Sequence, residues 1–264
     1  MKTKRLLLFV LILFCCSVVQ TQAAKPVYLA AGAGLKDCLN EQIVLYKKTA
    51  PDVTVIPNYE ASGKLQEQIN NGAPVDVFIS ANQDKMDLVE SKNLLVSETR
   101  KNLVTNKIVL IVPSNGKSPI HCFNCLGGDK LKIKGLAIGD PKVVPAGKYA
   151  TEIFDFLEIT DQVMPKVVFA QNVRAVLTYV AQNEVDAGIV YLTDALIMKD
   201  KVEVVAEAPK DSHSPVIFPA AIVRTGDNPD GGKAFLQFLF SPEAEKVFKK
   251  FGYGMAPKPF TPNP

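Results

Sequence analysis

The sequence predicts an α/β protein of two lobes with mainly parallel central sheets, and three observations carry that prediction. Short apolar runs alternate with amphipathic helical stretches through almost the whole chain, which is the pattern of repeated βα units. Two apolar runs, 107–112 and 219–223, fall where the chain can cross from one lobe to the other and back. Once the first 24 residues are set aside, 240 of the 264 remain, enough for two compact cores. The expected boundaries are 25–106 plus 220–264 for the first lobe and 107–219 for the second.

The elements follow in order. Val27-Tyr28-Leu29-Ala30 reads as the first strand, and Leu35, Leu39, Ile43 and Tyr46 then repeat at helical spacing until Pro51 stops the helix. Val53-Thr54-Val55-Ile56 is a second strand, followed by a helix from Gly63 to about Asn70. A turn at Asn71-Gly72-Ala73-Pro74 leads to a third strand over 75–80 and a helix over 84–91. The run 107–112 is apolar on both faces, as a central strand should be. In the second lobe, Leu136-Ala137-Ile138 leads through a glycine–proline loop to a helix from about Lys148 to Leu157. Lys166-Val167-Val168-Phe169 precedes a helix carrying Val173, Val176, Leu177 and Val180. Ala187-Gly188-Ile189-Val190 is a buried strand ending at Tyr191, with another at Val202-Glu203-Val204-Val205. After the return strand, helices over 230–240 and 242–251 close the first lobe, and a proline-rich tail ends the chain.

The amino terminus sets the compartment. Lys2, Lys4 and Arg5 precede nine apolar residues, and Thr21-Gln22-Ala23-Ala24 forms a small-residue cleavage box. Residues 1–24 therefore read as a secretory signal peptide, cleaved near Ala23 or Ala24, and the mature protein as periplasmic. The apolar run is too short for a membrane span. A lipid-anchored Cys15 or Cys16 is the alternative, disfavoured by Phe14 and Cys15 as residues preceding a lipidation site. The formal net charge of +3 includes the basic signal, so the mature chain is nearly neutral. No basic patch interleaved with aromatics points to nucleic acid. Cys38 falls on the apolar side of the first helix and reads as a buried thiol. His121-Cys122-Phe123-Asn124-Cys125 leaves two readings open: a local disulfide or idle thiols, against metal or redox chemistry, for which a fourth ligand is not visible.

Four small-residue turns open helices: Ala31-Gly32-Ala33-Gly34, Ala61-Ser62-Gly63, Pro145-Ala146-Gly147 and Gln171-Asn172-Val173. A helix start carries unpaired N–H donors and about half a positive charge, so it binds anions without a formal cation. Each turn alone is an ordinary cap. Two in each lobe, all beyond the carboxyl ends of strands, point both pairs at one cleft.

Several blocks, matched in order, now carry a family resemblance. They are Gly72-Ala73-Pro74-Val75-Asp76-Val77-Phe78-Ile79-Ser80-Ala81, Gly139-Asp140-Pro141 with Val144-Pro145-Ala146-Gly147, Asn172-Val173-Arg174 and Gly188-Ile189-Val190-Tyr191. Over essentially the whole mature region the chain resembles the periplasmic molybdate-binding proteins, substrate receptors of ATP-driven oxyanion importers. The resemblance implies a bilobal periplasmic binding protein fold of type II, closing around one tetrahedral dianion, molybdate or tungstate. It further implies a monomer with an ABC transporter permease as partner, no enzyme activity, no cofactor and no cation ligands. Carried over residue by residue, it gives Ser62 a hydroxyl-and-amide contact, Ala146 and Val173 backbone N–H contacts, and Tyr191 a hydroxyl contact. Gly34 stands where many members have serine, leaving the amides of Ala33 and Gly34 as that turn's donors. Arg174 is assigned to structure, and Asp76 and Asp140 to turns or caps.

Two other readings are weighed. The same fold binding sulfate, phosphate or another small anion is separated by titration. An exported hydrolase needs a nucleophile beside a base, but neither His121 nor His213 flanks a nucleophile motif, and no GxSxG or HExxH occurs.

Overall fold

A computed structural model describes residues 25–114, 118–128, 133 and 135–257. The expected signal peptide and most of the proline-rich tail lie outside the described residues.

The first half builds β1 (Val27–Gly32), α1 (Lys36–Thr49), β2 (Val55–Glu60), α2 (Ser62–Asn70), β3 (Val77–Ile79), α3 (Gln83–Glu90) and β4 (Lys101–Thr105). The middle builds β5 (Ile108–Pro113), β6 (Leu136–Gly139), α4 (Pro145–Phe156), α5 (Thr160–Val163), β7 (Val167–Ala170), α6 (Val173–Ala181), β8 (Ala187–Tyr191), α7 (Leu192–Ile197) and β9 (Val202–Glu207). The chain closes with β10 (Ile217–Ile222), α8 (Pro229–Leu239), α9 (Pro242–Lys250) and β11 (Gly254–Met255).

The strands form two sheets, ordered β11-β4-β10-β3-β1-β2 and β7-β6-β8-β5-β9. Elements around the first sheet form one lobe and those around the second the other. The chain passes between the sheets at 106–107 and again at 208–216. The α/β, two-lobed expectation stands, but the sheets are mixed rather than mainly parallel. β1 pairs in parallel with β2 and β3, and β6 with β7 and β8. β10 runs antiparallel to β3 and β4, and β5 antiparallel to β8 and β9. The physical reason lies at the passages: β4–β5 and β9–β10 carry the chain across without a helical crossover, and parallel pairing needs one.

The first sheet is buried on both faces, as side-chain alternation makes visible. Leu29, Val77, Ile79 and Ile222 face α1, α8 and α9 in a cluster with Leu35, Leu39, Phe235 and Phe248. Ala30, Phe78 and Ala221, in register across three strands, face α2 and α3 with Leu65, Ile69 and Met86. Asp76 is a structural tie rather than a ligand. It is fully buried and accepts from the Tyr28 N–H and the Asn228 N–H, both at 2.7 Å, which fixes β1, β3 and the start of α8 together. Asp140 accepts from the Lys142 N–H at 3.0 Å, a turn role.

Candidate functional site

Four helix starts meet between the lobes. β1 ends at Gly32, and a single 3-10 turn over Ala33–Leu35 leads into α1, with no side-chain cap on its amides. A Cβ at Gly32 would lie 3.2 Å from the Ala81 Cβ and 3.3 Å from the Ser62 Oγ, so glycine is what lets this backbone approach the second helix start. α2 is capped by Ala61, not by Ser62, whose hydroxyl is free of the usual capping duty. The Ser62 Oγ instead accepts from the Ala81 N–H at 2.9 Å, a bond that leaves the hydroxyl's own hydrogen for another acceptor.

In the second lobe, α4 begins with Pro145 at its first position, preorganised for a helix start. Ala146 then offers an N–H with no intrahelical acceptor. A Cβ at Gly147 would sit 1.9 Å from the Gly139 carbonyl oxygen, so that helix start can pack against β6 only through glycine. At α6 the Asn172 side chain accepts from the Ala175 N–H at 3.0 Å, which leaves the Val173 amide as an uncapped first-turn donor. Tyr191 ends β8, is 1% exposed, and donates to the Ala81 carbonyl across the cleft at 3.3 Å. Burial, with lesser pushes from Tyr149, Asp194 and Tyr253, holds its phenol well above the usual range, so it stays a donor at any physiological pH.

All six residues assigned from the sequence, Ala33, Gly34, Ser62, Ala146, Val173 and Tyr191, line one cavity of about 220 Å³, part of it open to solvent. Gly32 and Asn172, from the helix-opening turns read in the sequence, also line it, as does Glu60, which the sequence did not single out. Glu60 is the one charged residue among the lining positions, and its carboxylate is turned toward the Ala61 N–H at 3.3 Å and Lys64 at 3.8 Å. The cavity thus offers amide and hydroxyl donors without a lysine or arginine.

The lobes are closed on each other by direct bonds. Gly63 N–H donates to the Val143 carbonyl at 2.9 Å, Lys85 Nζ to the Lys142 carbonyl at 2.8 Å, and Lys148 pairs with Asp84. Arg174 is the main clasp. From α6 it reaches Asp37 on α1 at 2.6 Å and donates to the Gly34 carbonyl at 3.1 Å, while its Nε lies 2.8 Å from Asp194 within its own lobe. The structural assignment of Arg174 was therefore right in kind, but its partners come from distant segments that no local pattern reveals.

Asp194 is fully buried, and neither carboxylate oxygen has a hydrogen bond of good geometry despite the nearby guanidinium. Burial pushes its carboxyl up to about 6; Arg174 pulls it back and Asp37 pushes it further. A folded-state value above the unfolded one of about 3.9 means that the folded protein holds this proton more tightly. The group's stabilising contribution is then complete below pH ~4 and lost as pH rises through ~6. Unfolding measured on the unmodified protein and on Asp194→Asn should show a stability difference that changes between those two pH values and is flat above them.

Cys122 and Cys125 form a disulfide, which selects the local-disulfide alternative for that pair. Cys38 is free and buried, its thiol raised by burial out of the reactive range. His213 packs against Tyr149 with ring centres 5.5 Å apart and planes tilted by 60°, and faces the Ser214 carbonyl at 2.7 Å, an arrangement without a nucleophile.

Comparison with known proteins adds four findings. Residues 27–254 match the family described as bacterial extracellular solute-binding protein. The putative ABC transporter substrate-binding lipoprotein YvgL of Bacillus subtilis is 40% identical over 248 residues, covering 93% of this chain and 94% of its own length. The molybdate-binding protein ModA of Haemophilus influenzae is 38% identical over 239 residues, covering 89% of this chain and 92% of its own. Among solved structures, the periplasmic molybdate-binding protein of Azotobacter vinelandii superposes with a TM-score of 0.78 at 20% identity, over 88% of this chain and 100% of that one, which bears on the fold alone.

Proposed function

This chain belongs to the bacterial extracellular solute-binding proteins, within the periplasmic molybdate-binding family, and on that premise we propose that it captures a tetrahedral oxyanion, molybdate or tungstate, between its lobes. The observation that carries the proposal is the chemistry of the cavity. An oxo dianion accepts many hydrogen bonds and donates none, and the lining supplies uncharged donors from both lobes. The Ser62 hydroxyl and the Ala33 and Gly34 amides serve from the first lobe; the Ala146 and Val173 amides serve from the second, joined by the Tyr191 hydroxyl when its single hydrogen turns from the Ala81 carbonyl to the anion. Charge-assisted bonds are worth about 1.5–3 kcal/mol each, so six of them offset the steep cost of stripping water from a dianion.

Size favours an inorganic anion. The closed space between the lobes is small and lined closely on both sides, with no room beside the donors for the body of an organic ligand. An organic acid would also want a guanidinium clamp, and Arg174 is spent on Asp37, Asp194 and the Gly34 carbonyl.

The mechanism is capture by closure. The anion binds one lobe of an open form, and the second lobe swings about the passages at 106–107 and 208–216. The closed form, held by the Arg174 clasp and the Gly63–Val143 bond, then delivers its cargo to an ABC transporter permease. The protein works outside the cytoplasm as a monomer after export, and performs no chemistry on the anion.

Titration calorimetry with molybdate, tungstate, sulfate and phosphate tests this directly. Molybdate and tungstate should bind most tightly, and binding of none of the four would remove the oxyanion reading. Ser62→Ala should weaken molybdate binding by about 1–3 kcal/mol, or roughly 5- to 150-fold, because it takes away a buried donor. Unchanged affinity would take Ser62 out of the site.

A further inference from the structure

The Cys122–Cys125 loop lies apart from the anion cavity and plays no part in capture. Its sequence is His121-Cys122-Phe123-Asn124-Cys125, a C-x2-C pair with a histidine directly before it. The potential ligand atoms of His121, Cys122 and Cys125 all lie within 4.8 Å of one another. We propose that this loop, once its disulfide is reduced, is a binding site for one thiophilic divalent cation of the Zn²⁺ class, ligated by His121 and both cysteines.

The histidine is already set for the task. His121 Nδ1 faces the Pro119 carbonyl at 2.9 Å, which favours the tautomer with hydrogen on Nδ1 and a lone pair on Nε2. A backbone carbonyl on the distal nitrogen is the usual outer partner of a metal-bound imidazole. The Nε2 atom lies 3.7 Å from the Cys125 Sγ. In a tetrahedral zinc site, bond lengths of about 2.0–2.1 Å to nitrogen and 2.3 Å to sulfur place these two atoms roughly 3.6 Å apart. One edge of the tetrahedron is therefore present before any cation arrives.

The thiolates have support of their own. The Cys125 N–H lies 3.0 Å from the Cys122 Sγ as donor, and the Lys166 ammonium donates to the Leu126 carbonyl at 3.3 Å, which brings positive charge to the loop. The backbone does not depend on the disulfide for its position. Phe123 at 3% exposure and Leu126 at 0% anchor the segment in the second lobe's core, on either side of the cysteines' exposed edge. His121 is exposed and both cysteines are partly so, which leaves reductant and cation free access.

The chemistry balances in two steps. A dithiol reductant transfers two electrons and two protons to the Cys122–Cys125 bond, giving two protein thiols and the reductant's own disulfide. The cation then displaces both thiol protons, forming two metal–sulfur bonds and one bond to His121 Nε2, with water in the fourth position. Two thiolates neutralise the dication, so no further carboxylate is needed. In an oxidising compartment the bond keeps the site closed, and reduction opens it.

Cadmium titration of the mature chain, with and without a phosphine reductant, is the test. The reduced chain should take up one Cd²⁺ with a thiolate charge-transfer band in the ultraviolet, and the untreated chain should show no such band. The Cys122→Ser, Cys125→Ser double variant should lose the band while keeping its circular dichroism and its molybdate titration, and it also reports whether the fold tolerates loss of the disulfide. His121→Ala should keep the band and bind about tenfold more weakly or worse. A reduced chain without the band, a double variant that retains it, or a His121→Ala chain with unchanged affinity would each overturn the proposal.

Discussion

Replacing Arg174 by methionine is expected to destabilise the protein by about 3 kcal/mol at pH 8 and by much less at pH 5. Among the described residues the guanidinium is the one cation paired with the fully buried Asp194, 2.8 Å away, and removing one member of such a pair strands the other. Asp37, the clasp's other anion, is 42% exposed and loses little. The pH dependence follows from Asp194 itself. Its carboxyl already sits at about 6 with the arginine present, chiefly through burial, and loses its main compensating charge in the variant. At pH 5 the folded variant holds a neutral acid and only the packing of the side chain is gone. As pH rises, keeping that proton or burying the charge costs more for every unit, by about 1.4 kcal/mol per unit while the folded group stays protonated. Adding Asp194→Asn to the variant should restore most of the loss at pH 8, because nothing is then left to ionise. For a chain of this size the loss should appear as roughly 6–12 °C in the melting temperature. An equal loss at both pH values, or no rescue by the second change, would show that the pair matters through shape rather than charge.

The same pair shows what a sequence carries and what it withholds. Periodicity and stop signals located β1, α1, α2, β8, α8 and α9 within a few residues, because each is a local property of spacing. β4 was not anticipated: Lys101-Asn102-Leu103-Val104-Thr105 has a single apolar pair, and the strand is secured by β10 and β11 from the far end of the chain. α4 begins at Pro145 rather than near Lys148, since proline at the first helical position starts the helix instead of ending the loop. The mixed sheets were equally invisible, because strand direction depends on how the chain returns and not on which residues form the strand. At the site, the family resemblance, carried over residue by residue, pointed to six residues that line one cavity. Glu60 beside them escaped notice because a carboxylate next to an anion site is not expected, and its turn toward the Ala61 N–H and Lys64 shows only in the structure. Gly34 is explained only in part: a Cβ there would lie 3.3 Å from an Asp194 oxygen and 3.5 Å from the Tyr191 ring, so a serine would face the buried Asp194 carboxylate as much as the anion.

Gly63→Ala is expected to abolish tight anion binding while leaving the fold intact. The added Cβ would lie 2.7 Å from both the Cα and the carbonyl oxygen of Val143, where ordinary contact needs about 3.4 Å or more. Both obstructing atoms are backbone, held by the turn in which the Val143 and Val144 amides donate to the Asp140 carbonyl, so neither can rotate aside. They also belong to the opposite lobe. The clash is therefore absent when the cleft is open and arises only on closure. Relieving it requires the lobes to stay apart by most of an ångström at that edge. The 2.9 Å bond from Gly63 N–H to Val143 then fails, and the 3.3 Å bond from Tyr191 to Ala81, already long, fails with it. The donors proposed at Ala146, Val173 and Tyr191 would retreat from Ser62 and leave the anion half-solvated. We expect at least a hundredfold loss of molybdate affinity, about 2.7 kcal/mol. The ligand-free protein should melt no lower than the parent, because alanine favours a helix over glycine by up to about 1 kcal/mol. Solution scattering should show ligand-induced compaction in the parent and none in the variant. A variant that binds molybdate as the parent does would mean that capture does not need this closed arrangement, whereas one that unfolds early would place the strain inside a lobe rather than between the two.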